Sequence, residues 1–421
     1  MKKTKILCAA VLAAVMSLSG CSVRFNTNKK IADDYIVAQP MAEAYKDDKT
    51  LEIDYLTFKK EYLFWLNNNG ITDDSDETYA EDCTNQRSSI ISYLINEAIV
   101  RDKADELGVK LTEEDYAQIE EDFNSYVDEQ IEYYGKIADY SDLGTGEAIT
   151  DELRSERGAE AFDKYLAESR LTRDDLLMWQ RSEALTNKVI AEVTKDVSID
   201  RSVAEERYND FIENTVKPAY ESDPSAFEQN SYDSFWLPEG TRRAKHILLM
   251  MDDTKVDEIA KLRSEGDDEA ADKLREETLA PMEEQIIGIK NMLDNGGDFD
   301  ELIGEFSDDA AGSQAYPDGY TITPASTSYV AGFKEALYGL EQIGEYTVIA
   351  TDLGWHIVMY AGDAEISEET TNQYIDYILS EAISSAANAK FNQTLEEWIE
   401  EYDYRIDTEA LKIESADDTS K

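Results

Sequence analysis

The sequence predicts an α+β chain that is mostly helical, with one small module of strands and helices set into it. Three observations predict this. Apolar residues recur at three- and four-residue spacing through much of 51–237. Two short apolar runs, near 244–250 and 355–360, break that period and read as buried strands. Helical spacing then resumes after Ser367.

The chain opens with Lys2, Lys3 and Lys5 and an apolar stretch from Ile6 to Met16. That stretch is far shorter than the roughly 20 residues a spanning helix needs. Leu18-Ser19-Gly20-Cys21 follows and resembles the bacterial lipobox, in which the chain is cut just before a diacylated cysteine. Cys21 is therefore the expected lipidation site, at the end of a signal peptide over 1–21. Two acyl chains anchor far better than one. Residues 22–50 are polar and weakly periodic and are expected to be a tether.

Helices are expected from about Thr57. Phe58, Tyr62 and Trp65 share a face, as do Ile91, Leu94, Ile95, Ala98 and Ile99. Gly108 is placed to cap the second of these. Thr112 to Asp115 and Thr172 to Asp175 have the spacing of capping boxes, each opening another helix. Pro218, Pro224 and Pro238 end the helical run, giving a domain over 51–237 with no catalytic motif. The inserted module, 238–364, holds strands near 244–250, 319–323, 345–351 and 355–360. Residues 252–284 form an acidic insertion of helical composition within it. Helices over 365–412 are expected to pack on the N-terminal domain, and 413–421 is an acidic tail.

Composition narrows function. Hydrophobic residues make up 42% of the chain and there are 25 tyrosines, which fits folded domains. The formal charge is −52, from 40 basic and 92 acidic residues, so binding to nucleic acid phosphates is not expected. Cys83 is the one thiol left after Cys8 and Cys21 are set aside, which leaves no disulfide framework. One thiol and two distant histidines also argue against a structural zinc site. Those two histidines, His246 and His356, both fall on apolar strands of the same module.

Four segments carry a resemblance. They are Ala244-Lys245-His246-Ile247-Leu248; Gly297 to Leu302 with Glu305-Phe306-Ser307-Asp308-Asp309; Gly332-Phe333-Lys334-Glu335-Ala336-Leu337; and Leu353-Gly354-Trp355-His356-Ile357-Val358. In this order they resemble the parvulin-type peptidyl-prolyl cis-trans isomerases. The flanking helices behind a lipobox are similar to PrsA-type lipid-anchored foldases and, more distantly, to SurA-type chaperones. The resemblance implies a four-stranded antiparallel sheet in the module and a helical chaperone domain around it. It implies catalytic roles for His246, Asp309 and His356, and substrate contacts from Tyr329, Phe333, Thr351 and Leu353. It implies no cofactor and no metal. Pro317-Asp318-Gly319-Tyr320-Thr321 departs from the family pattern, leaving the family's pocket leucine without a counterpart.

The expected function is that of an anchored foldase on the outer face of the cell membrane. It would speed X–Pro isomerisation and chaperone unfolded exported polypeptides, with a dimer possible. The alternative is a non-catalytic holdase that retains the module as scaffold.

Overall fold

The computed structural model describes residues 31–71, 74, 76–143 and 148–411. Cys21 and the tail beyond 411 lie outside them. The chain divides into two compact units, one made of residues up to 198 together with 383 onward, the other of 199–382. These borders differ from those expected at 237 and 364.

The first unit begins with a strand, β1 (Ile36–Pro40), followed by β2 (Ile53–Asp54) and helix α1 (Tyr55–Asn68). The expected tether over 22–50 is therefore wrong from residue 36 onward. Val37 and Ala38 are buried against Leu51, Phe58 and Tyr62. A five-residue strand is too short to show a period, which is why it read as tether. Helices α2 (Ala80–Leu107), α3 (Glu113–Ile137), α4 (Asp151–Glu168) and α5 (Arg173–Thr194) follow. Thr112 and Thr172 both form capping boxes with the aspartates three residues on. Gly108 closes α2 in the left-handed conformation, which glycine adopts without a Cβ penalty.

The second unit starts with α6 (Arg201–Phe211), α7 (Lys217–Ser222) and α8 (Pro224–Gln229). The module follows. Strand β3 (Arg242–Met250) leads into α9 (Asp253–Glu265), α10 (Asp268–Leu279) and α11 (Glu283–Asp294), so the acidic insertion is folded. Next come α12 (Phe299–Phe306), α13 (Ala310–Ala315), β4 (Tyr320–Ile322), α14 (Phe333–Tyr338), β5 (Tyr346–Ala350) and β6 (Gly354–Asp363). The sheet order is β4-β3-β6-β5 and every pairing is antiparallel. Its back face buries Ile247, Leu249 and Ile357 under Ile286, Ile289, Phe299 and Leu302. Its front face packs Ala244 and Val358 against Phe333 and Leu337 of α14. Gly354 starts β6 where the strands approach closely, since a Cβ there would lie 2.0 Å from the Leu249 carbonyl oxygen.

One 35-residue helix, α15 (Glu368–Tyr402), stands where several C-terminal helices were expected. Its first turns belong to the second unit. Tyr374, Ile375, Ile378 and Leu379 pack there with Tyr208, Ile212, Val216 and Phe227, which draws α6–α8 into that unit. Its later turns belong to the first unit, where Phe391 and Leu395 pack with Val100, Ala104 and Val189. Strand β7 (Tyr404–Ile406) then pairs with β1, completing a sheet of order β2-β1-β7. Phe391→Ala is expected to destabilise the first unit by about 3–5 kcal/mol, the range for truncating a buried phenylalanine. Denaturant unfolding followed by far-UV circular dichroism checks this.

Candidate active site

The register of β3 and β6 builds the site. His246 pairs with Val358 and Leu248 pairs with His356. The two histidines are thus diagonal neighbours on one face, within reach of each other. Their rings lie 5.4 Å apart and 20° from parallel. His246 Nδ1 sits 3.2 Å from His356 Nδ1. His246 Nε2 lies 2.7 Å from Asp309 Oδ2, and His356 Nε2 lies 2.9 Å from Thr351 Oγ1. Tyr320 donates its hydroxyl to Asp309 Oδ2 at 2.6 Å.

These contacts fix the protons. An ionised Asp309 accepts only, so His246 Nε2 must carry a proton toward it. A neutral His246 then accepts at Nδ1, which requires His356 to donate from its own Nδ1. His356 Nε2 is left to accept from Thr351. The line Thr351→His356→His246→Asp309←Tyr320 is therefore fully paired with both rings neutral.

Electrostatics support neutral rings. Burial pushes His356 down to about 3, and the neighbouring His246 adds to that. Burial also lowers His246, against the opposing pull of Asp309. Burial works to raise Asp309, but the hydrogen bonds from Tyr320 and His246 outweigh it and hold the carboxyl below its ordinary value. Burial, and then the bond to Asp309, raises the Tyr320 hydroxyl, so it stays a donor.

Both ends of the line are held by backbone. Ser307 Oγ accepts from the N–H groups of Leu248 (3.1 Å) and Asp309 (3.2 Å), while Asp308 Oδ2 accepts from Met250 N–H at 2.7 Å. The Asp309 segment is thereby fastened along β3. At the other end Thr351 Oγ1 accepts from Leu353 N–H at 3.1 Å. Gly312 keeps the Asp309 end open, since a Cβ there would sit 1.9 Å from the Tyr320 hydroxyl oxygen.

An aromatic wall covers the line. Phe333 meets both histidines edge-on, at 5.3 Å from His246 and 5.7 Å from His356. Tyr329 stacks on Phe333 at 5.9 Å. Tyr320 completes the wall at 5.5 Å from His246. Beside Tyr320 a cleft of about 300 Å³ opens between Ile303, Tyr316 and Pro317. Such a surface suits a small apolar ring next to a polar group. Among the described residues no group of three or more His, Cys, Asp or Glu is placed to hold a metal ion.

The structure brings together His246, His356, Asp309, Thr351, Phe333 and Tyr329. Leu353 meets the line through its backbone N–H, which donates to Thr351 Oγ1 at 3.1 Å, and its carbonyl accepts from Met251 N–H at 2.9 Å. Sequence reasoning missed Tyr320. No local signal marks it: Tyr320 occupies the segment that departs from the family pattern, and only its pairing with Ala244 in the folded sheet sets it beside His246.

The low value at His356 sets a pH dependence. Between about 3 and 6.5 the unfolded chain binds a proton at this ring that the folded chain does not. Stability from the neutral ring is therefore full above 6.5 and is lost as pH falls toward 3. The stability of wild type relative to His356→Gln is expected to shrink over that window. The limiting slope is about 1.4 kcal/mol per pH unit, and paired urea denaturation curves from pH 7 to 4 check it.

The chain is similar to several known proteins. Residues 238–363 match the family model described as the PPIC-type PPIase domain. The chain is 22% identical over 402 residues to the foldase protein PrsA of Clostridium tetani, covering 95% of this chain and 94% of the relative. It is 22% identical over 396 residues to the foldase protein PrsA of Clostridium kluyveri, with 93% of each covered. Among solved structures, PrsA from Bacillus subtilis matches with 14% identity and a TM-score of 0.20, covering 88% of this chain and 94% of that one. Residues 238–363 thus resemble a PPIC-type PPIase domain, in a chain similar to the foldase protein PrsA along nearly its whole length.

Proposed function

We propose that this chain is an extracytoplasmic foldase, tethered through Cys21, that catalyses rotation about X–Pro bonds in unfolded exported polypeptides. The fully paired line from Thr351 to Asp309 beneath Phe333 and Tyr329 is the observation that carries this reading.

The reaction asks little of covalent chemistry. Rotation about a peptide bond has a barrier of roughly 18–20 kcal/mol, because the planar amide is held by resonance. No bond is broken, so no nucleophile is needed. The transition state is a twisted amide, and catalysis means binding it more tightly than the planar form. In this reading Phe333, Tyr329 and Tyr320 grip the proline ring and exclude water. His246 and Asp309 present fixed polar groups to the twisting amide. His356 and Thr351 hold His246 in one tautomer and orientation. Leu353 serves the turn that carries Thr351 rather than the pocket wall.

The PrsA-like relatives are named foldases, which supports a client of unfolded protein. The lipobox-like Leu18–Cys21 supports an anchor. No helix among the described residues is long and apolar enough to cross a membrane. A second reading, a holdase, draws on one observation: Tyr133 and Ile137 on α3 and Met178 on α5 are more than half exposed.

One experiment separates the two. Residues 22–421 are assayed for exchange of a prolyl peptide by NMR and, in parallel, for suppression of aggregation of an unfolded client. The isomerase reading expects acceleration by wild type and a loss of at least about tenfold in His246→Ala, with folding verified by near-UV circular dichroism. A folded wild type that suppresses aggregation but leaves exchange at the uncatalysed rate moves the function to the holdase.

A further inference from the structure

The acidic insertion over 252–284 has no part in the mechanism so far. It does not touch the histidines, but it holds the turn that does. Thr351, Asp352 and Leu353 form the loop between β5 and β6, closed by the Thr351 N–H donating to the Gly354 carbonyl at 2.9 Å. Arg263, on α9, grips Asp352 with two donors, Nε to Oδ2 at 2.9 Å and Nη2 to Oδ1 at 3.1 Å. Arg275, on α10, adds Nη1 to Oδ1 at 3.2 Å. Asp268 and Asp272 hold the same Arg263, and Asp272 also pairs with Arg275. The insertion meets this hairpin a second time, where Trp355 donates to the Leu279 carbonyl at 3.3 Å. Met251, Ile259, Ala271 and Leu279 form a small core beside it.

The loop matters because Thr351 has one hydroxyl proton and two acceptors within reach. His356 Nε2 lies at 2.9 Å and the Gly354 carbonyl at 3.3 Å. If the proton turns to Gly354, the buried Nε2 loses its donor, and a buried polar atom without a partner is costly. The rings would then relieve that cost by exchanging tautomers, which breaks the line to Asp309. A two-donor arginine–carboxylate pair is directional and resists rotation of the loop.

We propose that the insertion is a brace for the histidine pair, with Arg263, Arg275 and Asp352 as positioning residues for isomerisation. The proposal rests on the isomerase reading above. Charge on α9 and α10 fixes the loop, the loop aims Thr351, and Thr351 fixes the tautomer of His356. The pairs are partly exposed, so salt screens them; the screening length falls from about 10 Å at 0.1 M to about 3 Å at 1 M. Turnover should therefore decline as salt rises.

The test uses residues 22–421 carrying Asp352→Asn, Arg263→Gln or Arg263→Lys. It reads kcat and KM on a prolyl peptide and the ¹⁵N resonance of His356 Nε2, with melting temperature recorded separately. In Asp352→Asn and Arg263→Gln, kcat should fall about fivefold with KM within about twofold, the pattern of an interaction felt in the transition state. The Nε2 resonance should move as its donor is lost. Arg263→Lys, which keeps the charge without the fork, should recover part of both. A merely structural network would lower the melting temperature and move neither readout. Either readout unmoved in the folded Asp352→Asn chain overturns the proposal. A wild type without isomerase activity sinks the isomerase reading instead, and the resonance alone then judges the brace.

Discussion

The 3.2 Å contact between His246 Nδ1 and His356 Nδ1 admits one proton, and that proton sets the state of everything around it. With Asp309 ionised, it must sit on His356. The Thr351 hydroxyl must then point inward, and the Tyr320 hydroxyl must point at Asp309. With the Thr351 proton turned to His356, every ring nitrogen in the line is paired. In a buried site this matters more than the worth of any single bond, because an unmet polar group there is what costs most. The fold around the line serves this condition. The register of β3 and β6 places the rings, Ser307 and Asp308 fasten one end to β3, and the β5–β6 hairpin fixes the other.

The same arrangement keeps both rings uncharged. Desolvation works against every ionised form there, and two neutral imidazoles satisfy it without a counter-ion. Asp309 is the exception, and it stays ionised through donors from two sides. An apolar wall of Phe333 and Tyr329 lies over a line whose charge is confined to one edge. That combination suits a substrate whose reacting group is itself neutral.

The pairing of the two histidines was legible in the sequence for two reasons. Both histidines of the module fall on apolar strands, and the strand pattern at 244–250 and 354–363 was clear. Asp309, Phe333 and Thr351 followed from the resemblance; Asp309 and Thr351 join the line and Phe333 packs against both rings. Tyr320 was not legible, because a tyrosine in a departing segment reads as surface until its partner strand is known. The border of the units was not legible either. Residues 204–236 look helical wherever they pack, and only their aromatic contacts with Tyr374 and Ile378 show which unit they join. Strand β1 escaped because Ile36-Val37-Ala38 is too short to show a period. The insertion was visible as an acidic helical stretch, but the pairing of Arg263 with Asp352 spans 89 residues and leaves no local trace.

The proton arrangement of the two rings is open to measurement. Two-bond ¹H–¹⁵N correlation spectra of both rings from pH 4 to 8 test it most directly. Opposite neutral tautomers are expected at pH 7, with His246 protonated on Nε2 and His356 on Nδ1, and no titration of His356 above pH 6. A charged ring at pH 7, or the same tautomer on both histidines, would contradict it.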